Sequence, residues 1–160
     1  MSETTEIRPS VTFSGVVEGH DALVLAQLLR DATASADGHA PTLVHVARDD
    51  RRLDALERGL QFFAPKIRKV SIPAWDTVPY DRIGPNADII AKRMTSMARL
   101  ALGAGKEPMI VLTTVNSVLQ RFPPRDFVRK SMRQLAPGQR VDMNRLMLRL
   151  TNGGFQRTGT

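Results

Sequence analysis

The 160-residue chain has no cysteine. Disulfide staples and thiolate metal sites are thereby excluded, and the composition suits a reducing compartment. Histidine is scarce, and His20, His39 and His45 stand at no spacing that would bring two imidazoles to one metal ion. No apolar run approaches the ~20 residues of a membrane-spanning helix, so no membrane partner is expected. The first ten residues carry Glu3, Glu6 and a single Arg8, which is not a secretory leader. They read as a disordered tail over 1–10, and a cytoplasmic location follows. Tryptophan and tyrosine occur once each, so the place of each is informative. Acidic residues run short only toward the C-terminus. Residues 121–160 hold nine of the 23 basic side chains but two of the 16 acidic ones, while the remaining 14 and 14 cancel. The net charge of +7 therefore sits in the last quarter. Such a block can attract a phosphate backbone or an acidic partner, or can be one solvated half of a domain.

What is present is an ordinary globular composition, 42% hydrophobic and 24% charged, enough to bury a core. Val11–Val17 reads as a strand entering a glycine turn. A helix is predicted from His20 to Ala34, with Asp21 favouring its N-terminus. Thr42–Ala47 is a near-continuous apolar run of the kind parallel central strands have. Asp49 or Asp50 should cap a helix with Leu53, Leu56, Leu60 and Phe63 on one face. A strand over Lys66–Ile72 follows. A further helix starts at Asn86 or Asp88, turns Ile90, Met94, Met97 and Ala101 to one side, and stops at Gly103. Pro108–Thr113 is a third buried strand, leading to a short helix through Val118 and Leu119. This alternation predicts an α/β fold, a parallel sheet flanked by helices, over residues 11–121. Over 122–160 the pattern is that of part of a small α+β domain. Phe127–Leu135 is its candidate strand. Its last helix is capped by Asp142, turns Met143, Leu146, Met147 and Leu150 inward, and puts Arg145 and Arg149 one turn apart.

Phosphate in α/β proteins is bound at a strand-to-helix turn. Here the first such turn runs Gly15-Val16-Val17-Glu18-Gly19-His20-Asp21. Compared with G-x-x-x-x-G-K-[ST], the glycines are one residue too close, His20 replaces lysine, and Asp21 replaces the magnesium-binding hydroxyl. Two carboxylates beside a triphosphate would repel it by several kcal/mol, to order of magnitude. Gly15, Gly19, His20 and Asp21 thus form a degenerate loop, and no cofactor is expected. Ser71, Ser96 and Ser117 lack a nucleophile-elbow motif. His45 lies inside an apolar strand, as a core histidine does. Asp76, Asp81 and Asp88 suit turns and caps as well as they suit a metal. No catalytic residue is identified.

The richest segment runs from Pro73 to Asn86. It holds Trp75, Tyr80 and the prolines Pro73, Pro79 and Pro85, and should form a stiff surface loop anchored by its rings. Trp75-Asp76-Thr77-Val78-Pro79-Tyr80-Asp81, then Gly84-Pro85 and Asp88-Ile89-Ile90-Ala91-Lys92-Arg93, resembles a W-[DE]-T-[LV]-P-Y-D pattern and the helix after it in the transcription-repair coupling factor family (Mfd). The resemblance continues through Val115-Asn116-Ser117-Val118-Leu119-Gln120-Arg121, Pro137-Gly138-Gln139-Arg140 and Gly154-Phe155. It covers about Val11 to Thr160. It implies a UvrB-like module: a helicase-like α/β domain of degenerate P-loop type, then a small domain that binds UvrA. With seven residues between Tyr80 and Asp88, the DNA-clamping hairpin of UvrB has no room. The family is also far longer and carries a translocase motor. The chain is therefore expected to act without ATPase chemistry, in transcription-coupled nucleotide excision repair. Its expected partners are UvrA, through an interface completed beyond Thr160, and other domains of the full-length factor. Arg145, Arg149 and Arg157 are the candidate partner or phosphate contacts. A nucleic-acid-binding module using the same basic segment is the alternative, with weak, non-specific DNA binding.

Overall fold

The computed structural model describes residues 10–36, 40–77, 82, 84–103, 105 and 107–158. The tail over 1–9, Asp37, Gly38 and His39, and Pro79, Tyr80 and Asp81 lie outside the described residues.

In chain order the elements are α1 (His20–Ala34), β1 (Thr42–Ala47), α2 (Asp50–Phe63), β2 (Arg68–Ile72), α3 (Ala87–Leu102), β3 (Met109–Thr114), α4 (Val115–Val118), α5 (Arg125–Ser131) and α6 (Met143–Asn152). The three strands form a parallel sheet in the order β1-β3-β2. β3 is the central strand and all six of its residues are buried, as its unbroken Met-Ile-Val-Leu-Thr-Thr sequence requires of a strand covered on both faces. Alternation along the strands sorts the core into two layers. Ile110 and Leu112 join Leu43 and Ala47 under α1 and α2. Met109 and Val111 join Val70 and Ile72 on the other face, with Leu100 of α3 against them. α3 does not reach across to β1, so Val44 and Val46 on that face stay exposed.

The capping residues are those a helix start demands. Asp49 Oδ1 accepts from the Arg52 amide at 2.9 Å, and Asn86 Oδ1 from the Asp88 amide at 2.9 Å, each relieving an orphan donor of the first turn. Asp142 does the same for Arg145 at 3.1 Å. α3 ends on Gly103 at φ 85°, a left-handed residue that glycine adopts without a Cβ penalty. α1 and α2 approach closely because both are small at the contact: a Cβ built on Gly59 would lie 2.7 Å from Ala22 Cβ. Gly59→Val should therefore destabilise the chain by about 1–3 kcal/mol through overpacking, although glycine is the poorer helix former. A denaturant melt of the variant, and partial rescue by Ala22→Gly, check this.

Several expectations need correction. Val11–Val17 is not a strand. Val11, Phe13 and Val17 are exposed, and no described strand pairs with this segment, whose apolar pattern alone cannot supply ladder hydrogen bonds. Phe127–Leu135 is not a strand either, since Arg125–Ser131 is helical. Val128 and Met132 pack on Met97 and Ala101, and their i, i+4 spacing is that of a helix face. The buried stripe of α3 is Arg93, Ser96, Met97 and Ala101, while Ile90 and Met94 are exposed. Phe63 also lies outside the core, stacked edge-on with Phe62 at 5.1 Å. On α6 no residue is buried, and Met143 and Leu150 are exposed rather than inward.

Candidate functional site

In a parallel sheet the crevice for a ligand lies beyond the carboxyl ends of the strands. Here β2 ends into Pro73, and β3 runs directly into α4. Arg93 of α3 fills the space between them and is completely buried. Its Nη1 donates to the Pro73 carbonyl and, at 3.0 Å, to Ser117 Oγ. Its guanidinium carbon lies 4.5 Å from the ring centroid of Trp75 and 5.0 Å from that of Phe122. The cation thus contacts two aromatic rings, and its Nε has no hydrogen-bond partner among the described residues. Burial lowers the Arg93 pKa, but a guanidinium starts so high that it stays charged.

The surrounding polar groups are committed to the same junction. Ser117 Oγ donates to the Pro73 carbonyl at 3.2 Å. The Trp75 amide donates to Gln120 Oε1 at 3.0 Å. At the other end of the loop, the Asp76 carboxylate accepts from the Asn86 amide at 3.2 and 3.3 Å. Asn86 therefore closes the loop and starts α3 at once. Trp75, Arg93, Ser117 and Gln120 come from three separate stretches of sequence, and the fold brings them together. Of these, the sequence singled out only Trp75. An arginine three and four positions before Ser96 and Met97 on one helix face was the available signal for Arg93, and Ser117 and Gln120 gave none. Trp75 is half-buried and Asp76 exposed.

The turn before α1 is built differently. Gly15 and Gly19 take φ of 72° and 93°, which only glycine holds easily. Asp21 accepts from the Ala22 amide at 3.0 Å. Arg52 of α2 reaches over to pair with Glu18 and, at 3.0 Å, with Asp21. A carboxylate pair closed on an arginine occupies the helix start, and His20 stays exposed. His45 lies nearby on β1 and is half-buried. Burial is the main cause lowering its pKa, with Asp21 opposing and Arg52 reinforcing the shift. Among the described residues no group of three His, Asp or Glu could hold a metal ion.

Arg145 and Arg149 are exposed one turn apart on α6, and Arg157 is exposed beyond it. None of the three takes part in an ion pair among the described residues. The fold does not bring them to the Arg93 junction. No described helix is long and apolar enough to cross a membrane.

No family model matches the chain. Curated relatives do. The chain is 31% identical over 114 residues to a transcription-repair-coupling factor of Rickettsia bellii, covering 71% of this chain and 10% of that protein. The protein of the same name from Escherichia coli is 26% identical over 121 residues, 76% of this chain and 10% of the relative. That from Haemophilus influenzae is 23% identical over 141 residues, 88% of this chain and 11% of the relative. The chain thus spans about a tenth of the length of the curated relatives it matches.

Proposed function

We propose that this chain, related in sequence to a segment of the bacterial transcription-repair coupling factors, is a non-catalytic scaffold in transcription-coupled nucleotide excision repair that helps to recruit UvrA. One observation carries the non-catalytic half. Two places that could receive a ligand, the crevice beyond β2 and β3 and the start of α1, are occupied by the chain's own side chains: Arg93 between its rings, and Arg52 on Glu18 and Asp21. A nucleotide phosphate at the second would meet two carboxylates and would have to displace their arginine. Titration calorimetry with ATP and magnesium should therefore show no binding at millimolar concentrations. A saturating heat, or hydrolysis above buffer, would overturn this reading of the loop from Gly15 to Asp21.

The recruiting half rests on the basic C-terminal segment. α6 keeps Met143, Leu148 and Leu150 exposed beside Arg145 and Arg149. An apolar face beside paired arginines is the material of a protein interface. In this reading the interface is completed by further residues of the longer factor, and by other domains of it. Purified UvrA offered to the chain, and to a longer segment of the same factor, tests the partner. A second reading is favoured by the same exposed arginines, which could bind a nucleic-acid backbone. It predicts that log affinity for duplex DNA falls with log salt by about 0.9 per phosphate contacted. Arg145→Glu with Arg149→Glu would abolish that binding. On the favoured reading, DNA binding is weak, sequence-blind and gone at physiological salt.

A further inference from the structure

Among the described residues the sheet order leaves β2 with a strand on one side only, and the open side is not a flat flank. A groove of about 790 Å³ runs there between α2 and α3, floored by β2 and ending at Trp75. Its two walls carry opposite charge at helical spacing. Asp50, Asp54 and Glu57 stand at i, i+4 and i+7 on α2, and Lys92 and Arg99 two turns apart on α3, all lining the groove. Across it they do not pair: no ion pair among the described residues joins these two walls. Both rows are left to a guest.

The strand itself supplies the third element. Alternate residues of an edge strand turn their N–H and C=O away from the ladder, a template for another chain. Ser71 is one of them, since its carbonyl is taken by Ser96 Oγ of α3 while that of Ile72 receives Thr113 Oγ1 from the β3 side. Lys69, two residues earlier, turns the same way. An added strand would send alternate side chains toward α2 and toward α3.

We propose that the open edge of β2 is a docking groove for an extended peptide segment of a partner protein, with alternating basic and acidic residues. The basic residues face the Asp50-Asp54-Glu57 wall and the acidic ones Lys92 and Arg99. The alternating pattern follows from the two walls of opposite charge, and it separates this surface from the basic C-terminal segment. Neither depends on the other.

The probe is a fluorescein-labelled octapeptide of alternating Arg and Glu, titrated by polarisation against the whole chain. Saturable binding is expected at low salt. It should weaken at least about tenfold, or 1.4 kcal/mol, for the block-ordered peptide of equal composition. The same loss is expected when alternate backbone amides are N-methylated, and for Asp54→Lys with Glu57→Lys in the chain. Those carboxylates make no hydrogen bond or ion pair among the described residues, so the melting curve of the variant should stay in place. Amide exchange gives an independent readout, since the Lys69 and Ser71 N–H groups should gain protection when the peptide is added. No binding, or binding indifferent to residue order and to N-methylation, would overturn the proposal. So would binding without protection of those two amides.

Discussion

Arg93→Ala is expected to destabilise the chain by roughly 3–5 kcal/mol, the range for truncating a large, fully buried side chain that leaves a cavity behind. The substitution removes a side chain with no exposed surface. It removes one of the two donors to the Pro73 carbonyl, leaving Ser117 Oγ, and leaves the Trp75 and Phe122 rings facing a void, and each loss is separately unfavourable. The melting point should fall by about 10 °C or more for a chain of this size. Arg93→Lys should recover little, because a lysine keeps the charge but not the flat guanidinium that lies on the rings. An Arg93→Ala chain that melts with the parent would mean that the junction does not organise the fold.

The second large effect belongs to Trp75. Its ring is half-buried rather than enclosed, so Trp75→Ala should cost about 2–3 kcal/mol, less than full truncation of a core aromatic. Trp75→Phe, which keeps a face for the cation, should cost under about 1 kcal/mol. As the only tryptophan, it reports on itself. Its emission should be blue-shifted in the folded chain and move to the solvent value on denaturation, at the same midpoint as the circular dichroism. Solvent-like emission in the native state, with an unchanged melt for Trp75→Ala, would make the residue a free contact for another surface.

What could be read from the residues, and what could not, follows from the kind of signal each place emits. β1 and β3 were legible because an apolar, β-branched run bounded by turn residues has few other uses. The caps at Asp49, Asn86 and Asp142 were legible because a short polar side chain before an apolar period has a defined hydrogen bond to make. Val11–Val17 misled because its pattern is that of a strand, and pairing depends on a neighbour that local sequence does not reveal. α3 misled for the opposite reason. Its buried stripe contains an arginine and a serine, so its apolar period points to Ile90 and Met94 rather than to the residue at the centre of the junction. Arg93, Ser117 and Gln120 all stood within the motifs that carried the resemblance to coupling factors, but nothing in their spacing said that they meet. Likewise Arg52 could not be connected with Glu18 and Asp21, 34 and 31 positions earlier, until the α1–α2 packing placed them together.

The proposed role stands or falls most directly on affinity for UvrA at physiological salt. The measurement is a binding titration of purified UvrA against the 160-residue chain, and against a segment of the same factor some tens of residues longer. Expected is weak or no binding by the shorter chain, a saturable isotherm for the longer one, and DNA binding by neither at that salt. Contradiction would be an affinity for UvrA that does not rise with length, accompanied by tight duplex binding by the shorter chain that Arg145→Glu with Arg149→Glu removes.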